Sequence, residues 1–305
     1  MMTALSPEVV AAIDDLELAA RLVVEGLRTG GHRSPFHGYS TDFRQHRPYR
    51  VGDDLKYLDW KLFARSDRLY TRQFRETTNL SVMLVLDTSA SMAFPEHGVS
   101  KARYSTIIAA ALAYLVSEQG HAVGLMTMTH GGLSYVPARG GRPHLRALLA
   151  RLDRIAPVGA WDAARTIARG AQLLQRRGVM IVISDFYDAE DETRRALRRV
   201  VQRGHDLAML QLLSPTEIAL PFTGQIELED VESHARQIVD ASEIASKYQR
   251  TVGDFLDRCR THALRDGLDY ALMTTDMAPE QALRDYLLRR RRRDTPGHTR
   301  STRPS

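Results

Sequence analysis

The chain has 305 residues, 43% hydrophobic and 26% charged, long enough for one large domain or two small ones and unlike a wholly disordered protein. Its single cysteine, Cys259, excludes an intramolecular disulfide and a zinc site built from several cysteines. The net charge of +5 admits nucleic acid, acidic proteins or anionic lipid as partners and does not choose among them; much of the excess lies in residues 33–75 and from 289 onward.

No apolar run approaches the roughly 20 residues needed to cross a bilayer. The longest, 80–86 and 179–183, are the size of strands. The first twenty residues carry Glu8, Asp14, Asp15 and Glu17 and no early basic residue, unlike a secretory signal. The expected location is the cytoplasm.

In chain order, residues 7–28 read as one amphipathic helix. Ser6 is a candidate N-cap, Pro7 suits the first helical position, and Val9, Ile13, Leu16, Ala20, Val23 and Leu27 recur at spacings of three and four. Gly30 and Gly31 end it. Residues 32–75 are polar and basic, with short extended patches. The run 80–86 is almost continuously apolar and ends in Asp87, as a central strand covered on both faces should. A helix over 101–118 follows, then strands over 121–129 and 134–136 that read as a hairpin at a sheet edge. Helices are expected over 142–155 and 162–177 and a buried strand over 178–183, closing with Ser184 and Asp185. Helix 191–203, strand 206–213, helix 242–264, strand 268–273 and helix 279–289 complete the series, with an inserted hairpin over 224–239.

Alternating strands and helices imply an α/β fold with a mostly parallel central sheet flanked by helices. Such sheets bind ligands beyond the carboxyl ends of strands, where strand order reverses. Asp87 and Asp185 both stand at strand ends. The local sequence Asp87-Thr88-Ser89-Ala90-Ser91 places a carboxylate and hydroxyls two and four residues later on a tight loop, a set of hard oxygens suited to Mg²⁺. The same residues also serve as ordinary turn formers and helix caps.

Enzymatic readings lack parts. A haloacid-dehalogenase-type phosphatase requires a second Asp two residues after the first, and Ser89 stands there. Ser89 and Ser91 have no adjacent histidine, and no phosphate-binding glycine loop occurs.

The stretch from Gly38-Tyr39-Ser40 to Arg75 resembles the signature of the bacterial domain-of-unknown-function-58 family. The matching residues are Asp42-Phe43-Arg44, Arg47-Pro48-Tyr49, Val51-Gly52-Asp53-Asp54, Leu58-Asp59-Trp60, Ala64-Arg65 and Arg72-Gln73-Phe74. They lead into the strand and Asp87-x-Ser89-x-Ser91-Met92, and Ser184-Asp185-Phe186 and Tyr286-Leu287-Leu288 extend the resemblance to about residue 290. The resemblance implies a von Willebrand factor A-like, Rossmann-type domain with a metal-ion-dependent adhesion site. Carried over, Asp87, Ser89 and Ser91 would be first-loop ligands of Mg²⁺ and Asp185 the last. The family-type threonine is missing from Pro157-Val158-Gly159-Ala160-Trp161-Asp162; Thr166 lies a turn inside the next helix, and Asp162 or a water would have to substitute. The resemblance also implies a partner, a MoxR-type AAA+ ATPase, and an unknown protein client. Relatives often carry two membrane helices before the signature; this chain resembles the short cytosolic form.

The expected division is an N-terminal helix and signature segment over 1–78 packing on the core, a von Willebrand factor A-like domain over 79–289, and a disordered basic tail over 290–305. In the basic segment Asp42, Asp53, Asp54, Asp59 and Asp67 can pair with Arg44, Arg47, Arg50, Arg65 and Arg68. That balance favours internal pairing over a nucleic-acid surface, which is usually more one-sidedly positive. Trp60 and Trp161 are expected as packing anchors, with Trp161 beside the proposed site. Cys259 is expected to be an inert buried thiol, and His130, His144 and His205 structural or exposed. The leading reading is a non-enzymatic protein-binding adaptor. The alternatives are a metal-dependent phosphoester hydrolase and a nucleic-acid-binding protein acting through the basic segment.

Overall fold

The computed structural model describes residues 5–29, 43–49, 58, 60–66, 68–74, 80–95, 98–129, 132–157, 159–174, 177–187, 191–229 and 236–294. They fall in two compact units, Met1–Pro35 with Ser81–Ser305, and Phe36–Leu80.

Where one N-terminal helix was expected there are two, α1 (Pro7–Ala11) and α2 (Leu16–Thr29). Ser6 caps α1 as expected, its side chain accepting the Val9 N–H. The break has a local cause: Asp15 Oδ1 accepts the N–H groups of Glu17 and Leu18 at 2.9 and 3.1 Å and starts a new helix.

The smaller unit contains β1 (Phe43–Pro48), α3 (Trp60–Ser66) and β2 (Tyr70–Phe74), with β1 and β2 antiparallel. The helix was not anticipated. Trp60 is 61% exposed, contrary to the anchoring role expected of it, and meets Phe63 edge to face. Most of the ion-pair partners foreseen in this segment lie outside the described residues.

The larger unit continues with β3 (Ser81–Leu86), α4 (Lys101–Glu118), β4 (Ala122–Thr129), β5 (Gly132–Arg139), α5 (Arg142–Leu152), α6 (Ala163–Leu173), β6 (Val179–Ser184), α7 (Asp191–Gln202) and β7 (Asp206–Leu213). Then come α8 (Pro215–Ala219), the hairpin β8 (Gln225–Glu229) and β9 (Arg236–Asp240), α9 (Ala241–Arg265), β10 (Asp269–Thr274) and α10 (Pro279–Asp294). Helix α8 was not foreseen. Helix α10 runs past the expected end at 289: Arg290 is buried and pairs with Asp269 at 2.8 Å and Asp206 at 3.6 Å, so the arginine run begins as packed helix. Residues 295–305 of the expected tail lie outside the described residues.

The six-stranded sheet has the order β10-β7-β6-β3-β4-β5, parallel except for β5, which pairs antiparallel with β4 at the edge. The α/β class expected from the sequence is therefore the one observed, and the edge and inserted hairpins are both present. Strand β3 is central because both its faces are covered. Met83 and Val85 join a cluster with Ile167 and Ala171 of α6 and Leu197 and Val200 of α7. Val82, Leu84 and Leu86 alternate to the other face, where α4 lies. Helix α4 is apolar nearly all round because α2, α5 and α10 cover its outer side.

Strand order reverses between β3 and β6. After β3 the chain adds β4 and β5 on one side, then returns to place β6 and β7 on the other. In open α/β sheets such a switch point, at the carboxyl ends here of β3 and β6, is where ligands bind. Asp87 and Asp185 stand there.

Candidate functional site at the switch point

Parallel pairing brings Leu86 beside Ile183, and the Asp87 N–H donates to the Ile183 carbonyl at 3.0 Å. The carboxylates of Asp87 and Asp185 thus belong to one rim rather than to opposite edges. Asp87 is buried; its Oδ1 accepts the Ser89 N–H at 2.8 Å and its Oδ2 accepts the Ser184 hydroxyl at 2.6 Å. Burial first, and the charge of Asp185 second, push Asp87 up to about 6, against the lowering effect of the Ser184 and Ser89 hydrogen bonds.

From Asp87 the chain turns into a short 3₁₀ turn, Ala90–Ala93, held to the loop before α6 by the Ala90 N–H on the Gly159 carbonyl at 2.8 Å. The turn sets the Ser89 and Ser91 hydroxyls 2.9 Å apart, and Ser91 donates to Asp185 Oδ2 at 2.9 Å. Thr88 faces away and bonds the Met128 carbonyl. All four predicted residues, Asp87, Ser89, Ser91 and Asp185, are therefore brought together.

Asp185 is aimed by the end of β6. Phe186 has φ of 59°, a left-handed conformation rare outside glycine, while its ring is buried in the core with Trp161. The Tyr187 N–H donates to Asp185 Oδ1 at 3.2 Å, and Gln211 Nε2 holds the Asp185 carbonyl at 2.8 Å. Trp161 is buried in the same cluster, as the anchoring expectation had it.

Two residues of the rim escaped the sequence reading. Lys101, the first residue of α4, has no exposed side-chain surface; its Nζ lies 2.7 Å from Asp185 Oδ2 and 2.7 Å from Glu217 Oε1, and 5.2 Å from the centre of the Tyr187 ring. Glu217 belongs to α8, where its other oxygen accepts the Ser214 N–H while Ser214 Oγ accepts the Glu217 N–H, a capping box. Both signals were present. Ser214-Pro215-Thr216-Glu217 has the spacing of a capped helix start. A lysine in a first turn opposes the helix dipole unless a carboxylate compensates it.

The side chains on the opposite loop do other work. Thr166 donates to the carbonyl of Asp162 at 2.8 Å from inside α6, and Asp162 caps that helix by accepting the Arg165 N–H at 2.9 Å. The oxygen set available to a hard cation is thus Asp87, Ser89 and Ser91, with Asp185 shared with Lys101. Among the described residues no group of three or more His, Cys, Asp or Glu side chains forms a metal-type cluster. Cys259 is buried, and burial raises its thiol, as expected of an inert one. His144 and His205 bond backbone groups, and His130 lies outside the described residues.

The model of the protein family described as "Protein of unknown function DUF58" matches residues 45–255. The chain belongs to this family. An uncharacterised protein of Mycobacterium tuberculosis is 31% identical over 230 residues, covering 74% of this chain and 72% of that protein. The uncharacterised protein YeaD of Bacillus subtilis is 27% identical over 140 residues, 46% of this chain and 32% of that one. Among solved structures, an aerotolerance-related membrane protein of Bacteroides fragilis has a TM-score of 0.49 at 16% identity, covering 70% of this chain and 99% of that chain. The BatB protein of Bacteroides thetaiotaomicron has a TM-score of 0.46 at 13% identity over the same shares, and the SpRpn10 VWA domain 0.41 at 11% over 68% and 94%. The family assignment made from the signature residues holds, and the DUF58 chain has the α/β sheet that assignment implied. No helix among the described residues is long and apolar enough to cross a membrane.

Proposed function

We propose that this DUF58 chain is a non-enzymatic, cytoplasmic protein-binding adaptor that grips an acidic side chain of a partner at the switch-point rim. One observation carries this reading. Asp87, Ser89, Ser91 and Asp185 converge where strand order reverses, and Ser91 is partly exposed there. The two hydroxyls bond to each other and to a carboxylate already occupied by Lys101, an arrangement suited to presenting oxygens and donors and not to activating a nucleophile.

Asp87, Ser89 and Ser91 would hold Mg²⁺, with Asp185 acting from a second layer through water. Bound there, the ion would offer an open coordination position to a carboxylate oxygen of the partner. The side chains that this chain contributes are the orienting ones: Ser184 and the Ser89 N–H fix the Asp87 carboxylate, and Phe186 and Gln211 fix Asp185. The partner is a MoxR-type AAA+ ATPase and its protein client, a reading supported by the family resemblance alone.

The test is capture of a MoxR-type ATPase of the same organism, on the immobilised full chain, in ATP with Mg²⁺ or with EDTA. Capture should fall at least about ten-fold in Ser91→Ala, the loss expected from removing one hydrogen-bonding group at the centre of a small interface. Capture unchanged in both Ser91→Ala and Asp87→Ala would remove the rim from the interaction. Equal capture in Mg²⁺ and EDTA would remove the ion alone.

A further inference from the structure

We infer that Lys101 is a built-in cation of the rim, one that ties Asp185 and Glu217 together and withholds Asp185 from any divalent ion bound beside it. This inference rests on the proposed Mg²⁺ reading of Asp87, Ser89 and Ser91 and deepens it.

The ammonium is fully enclosed, and its two carboxylate contacts are equal at 2.7 Å. Removing a lysine completely from water is costly unless the charge is compensated by close, well-oriented partners. Here the compensation comes from the ends of two different strands. Asp185 follows β6 and Glu217 follows β7 by one turn, while Lys101 begins the helix after β3. One side chain therefore links three of the segments that build the rim, and it does so with charge that the chain itself supplies.

The distribution of lone pairs gives the consequence. Asp185 Oδ2 accepts both the Ser91 hydroxyl at 2.9 Å and Lys101 Nζ at 2.7 Å, and Oδ1 accepts the Tyr187 N–H. A divalent ion held by Ser91 would share that same oxygen's surroundings with the ammonium, and two cations on one carboxylate repel. The ion is left with Asp87 and two neutral hydroxyls, so its affinity is low and the rim is assembled without it. Lys101 also accounts for how the rim keeps its shape without the family-type threonine: Thr166 is turned into α6, and Asp162 is spent on the cap.

The experiment compares the full chain with the double variant Lys101→Met, Glu217→Gln. The wild-type triad carries one positive and two negative charges, and the double variant keeps a single negative charge at Asp185, so the buried net charge is unchanged and folding is protected. Mg²⁺ and Mn²⁺ are titrated calorimetrically, and melting temperature is read in EDTA and in excess Mg²⁺. The double variant should bind at least about ten-fold tighter than wild type, because Asp185 Oδ2 is freed of the ammonium that lies 2.7 Å from it. Its melting temperature should also rise more from EDTA to excess Mg²⁺ than that of wild type does. Adding Asp185→Asn to the double variant should cancel the gain. Equal affinity in wild type and double variant, or a gain that survives Asp185→Asn, overturns the role of Lys101 and leaves the docking reading standing. Binding by neither protein overturns both this inference and the Mg²⁺ part of the proposed function, while capture of a partner through Ser91 stays a separate measurement.

Discussion

The Ser184 hydroxyl, at the end of β6, donates to Asp87 Oδ2 at 2.6 Å from the neighbouring strand, with both residues buried. The bond stabilises ionised Asp87, yet burial and the Asp185 charge outweigh it, and the carboxyl rises from 3.8 to about 6. A group whose folded pKa lies above its unfolded one binds its proton more tightly in the native state. Its contribution is therefore fully present below pH 3.8 and lost as pH rises through about 6. In EDTA, urea unfolding should show wild type losing about 2 kcal/mol from this group between pH 4 and pH 7. Asp87→Asn, which cannot titrate, should remove that part of the slope. An identical slope in the two proteins would contradict the assignment.

Glu217 has two roles that substitution can separate. Its Oε1 holds Lys101 and its Oε2 caps α8 through the Ser214 N–H. Glutamine keeps the reach and acceptor needed for the cap but not the charge. Glu217→Gln should therefore cost about 1–3 kcal/mol, because the one carbonyl oxygen kept for the cap leaves the amide NH₂ facing the buried ammonium and the charge-assisted bond is lost. Glu217→Ala should cost about 1 kcal/mol more, the usual value of a lost cap. Denaturant midpoints of the two variants give the comparison; equal losses would mean that the capping bond contributes nothing. Lys101→Met alone should be the most damaging change here, about 3–5 kcal/mol, because it strands two carboxylates at once.

Much of this fold was legible because burial on both faces leaves a plain mark. Strand 206–213 and helix 101–118 occur where periodicity put them, since their apolar runs have no other use. Asp87 and Asp185 were legible for a topological reason: each closes a continuous apolar strand, and strand ends in such sheets carry sites. Lys101 was not. Its partners lie 84 and 116 residues away, and a first-turn lysine on a surface helix looks the same in sequence as one enclosed by carboxylates. The break between α1 and α2 was hidden by the even spacing of apolar residues across it, which continues although Asp15 restarts the helix.

That break is sealed from outside. Arg103 of α4 donates its Nε to the Ala11 carbonyl at 3.1 Å and an Nη to the Ile13 carbonyl, supplying partners for backbone groups that the end of α1 leaves open. Arg103→Ala should release α1 more than it weakens the domain. Amide exchange over residues 6–13 should speed up by at least about ten-fold, a lower bound for losing two hydrogen bonds from a charged donor. Exchange in β3 and β6 should stay as it was. Protection of α1 unchanged by the substitution would assign its anchoring to the buried Val10 instead.

The edge hairpin tests how closely the sheet is built. Gly124 lies in β4 where the pairing with β5 shifts register between Val123 and Leu125. A Cβ there would stand 2.8 Å from both the Ala138 nitrogen and the Val136 carbonyl oxygen. These are backbone atoms of the partner strand, which cannot rotate aside as a side chain would, so β5 must move or the bulge must unpair. Gly124→Ala should therefore destabilise by about 1–3 kcal/mol, within the range for inserting one methyl group into a filled space. The loss should appear as faster exchange in 132–139, the strand that β4 holds at that edge, while the pairing of β3 with β6 is kept. Since the rim depends on that inner pairing, partner capture through Ser91 should survive the change. A Gly124→Ala protein that keeps its edge protected but loses capture would couple the hairpin to the rim in a way the sheet order does not provide.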